Sequence, residues 1–242
     1  MARERHSTGG YRPEWKLVCA ALAMAGMAFP VAAADPTLAG TLAKMDQTAS
    51  HFKGLSANVA YLQHMQAIHE DDAQSGTILV KRPHPKDLKV KISIDKPDVK
   101  VAVTDGKKVD VYYQSSGEIQ RVELGHRRSL VDMILTLGFG GDSQELQKDY
   151  DVKLGGAENI AGESATRLEL FPKSTDMQEQ WKQIDLWIAD KTGYTVQQKF
   201  YEHGKDYTLI TYANVQMRSD IPDANFNLAV PKGTKREPLN KK

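Results

Sequence analysis

The sequence has almost no cysteine. Cys19 is the only one in 242 residues, and it lies inside an N-terminal apolar stretch that reads as a leader. A chain cut behind that stretch carries no thiol, which excludes a disulfide framework, a thiolate metal site and a cysteine nucleophile. A lipid anchor is excluded too. Lipidation needs cysteine just behind the apolar run, whereas Cys19 stands near its start, preceded by Lys16-Leu17-Val18. Charge of one sign is also missing. Lys and Arg total 32 against 31 Asp and Glu, and the leader removes only Arg3, Arg5, Arg12, Lys16, Glu4 and Glu14. There is no basic excess for a nucleic-acid partner. After residue 34 no apolar run is long enough to cross a membrane as a helix. The sequence shows no G-x-S-x-G, H-E-x-x-H or P-loop pattern, and "GFGGDS" at 138–143 lacks the third glycine of a dinucleotide loop. The chain therefore reads as no enzyme, with no cofactor.

What is present begins with the leader. A basic start gives way to an apolar run from Leu17 to Val31 and then to Ala32-Ala33-Ala34 before Asp35. This is the form of a secretory signal with an A-x-A cleavage site, so residues 1–34 are expected to be removed. Residues 35–242 then suit one domain. Secretion without a disulfide framework points to a periplasm.

Asp35-Pro36 opens a helix in which Leu38, Leu42, Met45, Ala49 and Phe52 share a stripe, and Gly54 ends it. The period then changes to two. Leu88, Val90, Ile92 and Ile94 alternate with polar residues; Val99, Val101 and Val103, then Val109, Val111 and Tyr113, repeat the scheme. Leu168 and Leu170, and Leu186 and Ile188, continue it in the second half. Asp105-Gly106, Ser116-Gly117, Thr192-Gly193 and His203-Gly204 supply the turns. The pattern predicts a mainly β (α+β) protein, with a curved antiparallel sheet of about 10–11 strands, one face wet and one dry.

One segment interrupts the strands. "RRSLVDMILTLGFGGDSQELQKDY", residues 127–150, predicts a helix capped by Ser129 and apolar nearly all round. Asp142 caps a second short one. Two short helices over so wide a sheet leave room for a cavity. Beside the apolar face stands "VKRP", residues 80–83. Pro83 ends the strand there, so Arg82 projects at the rim.

These residues resemble a family. "VKRP" behind a short apolar strand, "TDGKKVDVYY" at 104–113, the apolar helix from Leu130 and the ending "NFNLAVPKGTK" at 225–235, which looks like a closing strand and Pro-x-Gly turn, together are similar to the LolA-type periplasmic lipoprotein carriers. The resemblance runs over nearly the whole of residues 35–242. It implies a half-open barrel with an α-helical lid, whose cavity holds the acyl chains of an outer-membrane lipoprotein in transit. It implies as partners an inner-membrane ABC lipoprotein-release complex and an outer-membrane acceptor, with the carrier acting as a periplasmic monomer. It gives Arg82 the task of hydrogen-bonding the lid closed. Against that stands the plainer reading of a rim charge.

On the same basis Leu130, Met133, Ile134 and Leu137 line the lid side of the cavity. Leu88, Val90, Ile92, Val101 and Val111 line the first strands, and Leu168, Leu170, Leu186 and Ile188 the later ones. Without the resemblance all of these read as core. His64, His69, Glu70, Asp71 and Asp72 match no metal-ligand spacing and read as a hairpin tip, so no metal is expected. His126-Arg127-Arg128 reads as a solvated loop. The functions left open are the lipoprotein carrier, a sensory module binding lipidated proteins, a carrier of another lipid, and a hydrolase with an unrecognised site.

Overall fold

A computed structural model of the chain describes residues 35–84, 87–104, 108–123, 130–139, 142–231 and 233–238. The leader, Asp105-Gly106, His126-Arg127-Arg128 and Ser129 lie outside the described residues. The first helix is α1 (Leu38–His51). Its N-cap is Thr37, whose side chain accepts from the amide of Gly40 at 3.1 Å. Its stripe buries Leu42 and Met45, each worth about 1.5–3 kcal/mol against exposure.

Six strands follow in order: β1 (Gly54–Met65), β2 (Glu70–His84), β3 (Asp87–Lys96), β4 (Lys100–Thr104), β5 (Lys108–Tyr113) and β6 (Glu118–Glu123). Then come α2 (Leu130–Phe139) and α3 (Ser143–Asp149). A second run consists of β7 (Tyr150–Ile160), β8 (Glu163–Pro172), α4 (Thr175–Gln178), β9 (Gln183–Ala189), β10 (Thr195–Tyr201) and β11 (Tyr207–Met217). A 3₁₀ turn at Asp223–Phe226 leads to β12 (Lys235–Pro238).

These twelve strands form one sheet, in the order β12-β6-β5-β4-β3-β2-β1-β11-β10-β9-β8-β7. Each strand from β1 to β6 pairs antiparallel with the next, and so does each from β7 to β11. The two meanders join where β1 pairs antiparallel with β11. The short β12 runs parallel to β6. The outermost strands are β7 and β12. No pairing among the described residues joins them, so the sheet is an open, curved half-barrel.

Register assigns the two faces, because cross-strand partners point the same way. Val80 stands between Leu55 and Val90, and Leu186 between Leu168 and Gln198. This inner face meets α1, α2 and α3 in one apolar cluster that includes Met45, Phe52, Val80, Met133, Leu137 and Phe200. The helical segment at 127–150 is divided, as its glycines and Asp142 suggest. Asp142 caps α3 by accepting from the amide of Glu145 at 2.8 Å.

The C-terminal segment departs in part from the sequence reading of residues 225–235 as a closing strand and Pro-x-Gly turn: the turn is present, where the Thr234 amide donates to the Pro231 carbonyl at 3.3 Å, but the strand is not. The chain instead makes the 3₁₀ turn and an irregular stretch, with Gly233 turning at φ 91°, and strand pairing begins only at Lys235. Ile221 and Phe226 are buried. The Asp223 carboxylate is clasped by Lys81 at 2.6 Å and Lys89 at 2.9 Å.

Candidate functional site

Arg82 lies where β2 leaves its regular register with β3, between Lys81 and His84. Its backbone amide donates to the carbonyl of Lys53 at 2.8 Å, which fixes the root of the side chain against the end of α1. The guanidinium then reaches two helix ends at once. Nη2 donates to the carbonyl of Phe139, the last residue of α2, at 2.8 Å, and Nη1 to the carbonyl of Ala49 in α1 at 3.4 Å. Carbonyls of a last helical turn lack partners within the helix and carry its negative dipole end, so a cation is the suitable cap. The guanidinium also lies over the ring of Phe52, 5.1 Å from its centroid. Phe52 stacks near Phe139 with ring centroids 6.5 Å apart, and Phe139 meets Tyr212 edge-on at 4.9 Å. Burial lowers the affinity of Arg82 for its proton, and the charge of Glu145 partly offsets this. The guanidinium still stays charged at any ordinary pH.

Beneath α2 the inner face is not wholly apolar. Gln198 is fully buried, in line with Leu186 on β9 and Ile210 on β11. Its Nε2 donates to the carbonyl of Ile134 at 3.0 Å. Tyr212 Oη donates to Gln198 Oε1 at 3.2 Å, and Thr195 Oγ1 donates to the carbonyl of Leu137 at 3.2 Å. A Cβ on Gly138 would stand 3.0 Å from Gln198 Nε2, so glycine there lets α2 sit this low. Burial pushes the Tyr212 phenol well above its ordinary range.

The other helices are tied by polar contacts at their edges. Asp46 of α1 accepts from the amide and hydroxyl of Ser143 in α3, both at 2.6 Å. Thr48 donates to the carbonyl of Thr192 at 2.5 Å, and Lys44 to that of Asp190 at 2.6 Å. The turn they grip contains Gly193 at φ 75°, where a Cβ would lie 2.6 Å from the Lys44 carbonyl.

Most residues expected to line a cavity meet at this place. Val90, Met133, Leu137, Leu168, Leu170, Leu186 and Ile188 are buried in the cluster beneath the helices. Leu88, Ile92 and Ile134 are half-buried against it. Leu130 opens α2, and its side chain lies outside the described residues. Val111 faces inward opposite Ala102 but is half-buried and apart from the cluster. Val101 is a correction. It pairs with Ser93, while Ile92 pairs with Ala102, so Val101 points to the outer face. The alternation Val99-Val101-Val103 marks the outer side of β4, whose inward side carries Lys100, Ala102 and Thr104.

The void between α1, α2 and the β9–β10 turn is about 30 Å³, bounded by Met45, Phe52, Leu137, Phe139 and Tyr194. A far larger open groove, about 690 Å³, lies on the outer face beside Asn58, Thr77, Lys91 and Ser93. Among the described residues, no group of three or more His, Cys, Asp or Glu is gathered as a metal site, and no helix is long and apolar enough to cross a membrane. His64 and Asp71 instead pair with each other, at 2.6 Å.

The polar floor under α2 escaped sequence reasoning. Gln198 follows Gln197 in "TVQQKF", and a register break after Thr195 decides which glutamine turns inward.

A family model described as "Outer membrane lipoprotein carrier protein LolA" matches residues 50–229. No curated protein matches the chain in sequence. Among solved structures, MucB superposes with a TM-score of 0.52 at 13% identity, over 79% of this chain and 62% of MucB. An uncharacterized conserved protein from Thermus thermophilus superposes with a TM-score of 0.52 at 13% identity, over 82% of this chain and 97% of that one. A DUF1329 family protein from Desulfovibrio piger gives a TM-score of 0.46 at 17% identity, over 80% and 98%. Identities this low speak to fold alone.

Proposed function

The chain belongs to the family of outer membrane lipoprotein carrier protein LolA, and from that premise we propose that it shields lipoprotein acyl chains and carries them from the inner to the outer membrane. The observation that carries this reading is Arg82, one side chain fastening the ends of two helices over an apolar sheet face. Each acyl CH₂ left in water costs about 0.8 kcal/mol, so a lipidated protein needs cover to cross an aqueous compartment. Release requires that the cover also open. A lid held at its edge by hydrogen bonds meets both demands.

In this reading the form with a 30 Å³ void is the empty, closed one. Acyl chains enter as α2 lifts, and they contact the inner face now pressed against Met133 and Leu137. The protein performs no catalysis. Residues 1–34 are a leader removed on export, and residues 35–242 work as a monomeric domain in the periplasm, between an inner-membrane ABC complex that loads it and an outer-membrane acceptor.

The test uses the exported protein. Membrane vesicles bearing a radiolabelled lipoprotein are incubated with it, then the soluble fraction and acceptor vesicles are counted. The expected result is a soluble lipoprotein–carrier complex that passes its label to the acceptor. Extraction of free phospholipid with the protein, and no soluble lipoprotein, would replace this reading with carriage of another lipid.

A further inference from the structure

Among the described residues, three side-chain donors hold α2, each through a backbone carbonyl. Gln198 bonds Ile134, Thr195 bonds Leu137 and Arg82 bonds Phe139. Gln198 and Thr195 stand within the inner face, with 0% and 2% of their surface exposed. The carbonyl of Ile134 can only accept, so the amide nitrogen of Gln198 faces it and the amide oxygen faces the Tyr212 hydroxyl. The Tyr212 hydroxyl, able to donate or accept, donates to the oxygen that this orientation presents.

If α2 lifts to admit a ligand, these donors lose their acceptors while remaining inside an apolar cavity. A buried donor without an acceptor is costly, and a hydrocarbon offers none. An ester or amide carbonyl offers the same kind of oxygen that α2 supplied. We propose that Gln198, with Thr195 beside it, selects ligands whose chains are joined through ester or amide carbonyls, taking those oxygens in place of the carbonyls of α2. The inference rests on the acyl-binding reading and specifies the linkage that such a site prefers.

The experiment compares two lipids of equal chain length, 1,2-dioctanoylglycerol and its ether analogue 1,2-dioctylglycerol, as competitors for a bound fluorescent apolar probe. In the unaltered protein the ester should compete about tenfold better, the equivalent of 1.4 kcal/mol. Gln198→Met, close in volume but without a donor, should bring the ratio near one. Thr195→Val, which removes the second donor at similar volume, should reduce the ratio in the same direction, and it carries the test alone if Gln198→Met does not fold. Equal competition by the two lipids in the unaltered protein overturns the inference while leaving acyl binding intact. So does a ratio unchanged in the variants. If neither lipid competes and the probe itself does not bind, the acyl-binding reading fails and this inference fails with it.

Discussion

Replacing Arg82 by leucine tests the lid directly. The variant loses the 2.8 Å bond to Phe139, the longer 3.4 Å contact to Ala49 and the seat over Phe52. A hydrogen bond from a charged donor contributes about 1.5–3 kcal/mol and an exposed cation–π contact about 0.5–1 kcal/mol. The contact at 3.4 Å is too long to count fully. Leucine also returns some apolar contact to Phe52. A net loss of about 2 kcal/mol is the reasonable figure, which shifts the balance between open and closed lid by roughly thirtyfold. The remaining fasteners, Gln198 and Thr195, keep α2 from detaching altogether. Amide hydrogen exchange should therefore rise in α2 by about that factor, while strands β8 to β10 keep their protection. Leucine adds apolar surface at the rim, so loaded acyl chains should leave more slowly for acceptor membranes. Arg82→Lys keeps the charge but cannot span two helix ends, and should fall between the two. If α2 exchanges in Arg82→Leu as slowly as in the unaltered protein, Arg82 is an ordinary rim charge and the lid is held by its packing.

Two further outcomes follow from contacts elsewhere. Lys81 and Lys89 depress Asp223 from an ordinary 3.8 to about 2. A depressed carboxylate adds stability that is present above its unfolded value and is lost as pH falls toward about 2. Urea midpoints should decline between about pH 4 and about pH 2 more steeply in the unaltered protein than in Asp223→Asn; parallel declines would show that the clasp is solvated away. Gly193→Ala places a Cβ 2.6 Å from the Lys44 carbonyl at φ 75°, so it should cost about 1–3 kcal/mol in urea unfolding. An unchanged midpoint would mean that the grip of α1 on this turn yields freely.

Much of this arrangement was written in local pattern. Alternation marked the strands, and the stripe from Leu38 to Phe52 marked α1. Asp142 marked the start of α3. Pro83 did not end its strand, because β2 runs on to His84 past a register break that follows Lys81. What failed did so where local pattern has two answers. Val101 sits on a strand whose more apolar side turns outward, so only pairing with Ser93 settles its direction. Gln198 looks like a surface residue between Gln197 and Lys199, and a register break turns it inward.

The joint between the two meanders bears on how the molecule is made. His64 near the end of β1 pairs with Tyr207 at the start of β11, so strands from opposite ends of the chain complete the sheet. Each meander is a series of neighbouring hairpins, whose short loops close quickly, whereas the joint needs most of the chain in place. A newly synthesised molecule can therefore fold β1 to β6 early and hold β1 as a bare edge until β7 to β11 arrive. During that interval the unpaired amides and carbonyls of β1 are open to a strand from another molecule. The exposed edge therefore belongs to the interval before that joint closes, and the finished sheet covers it.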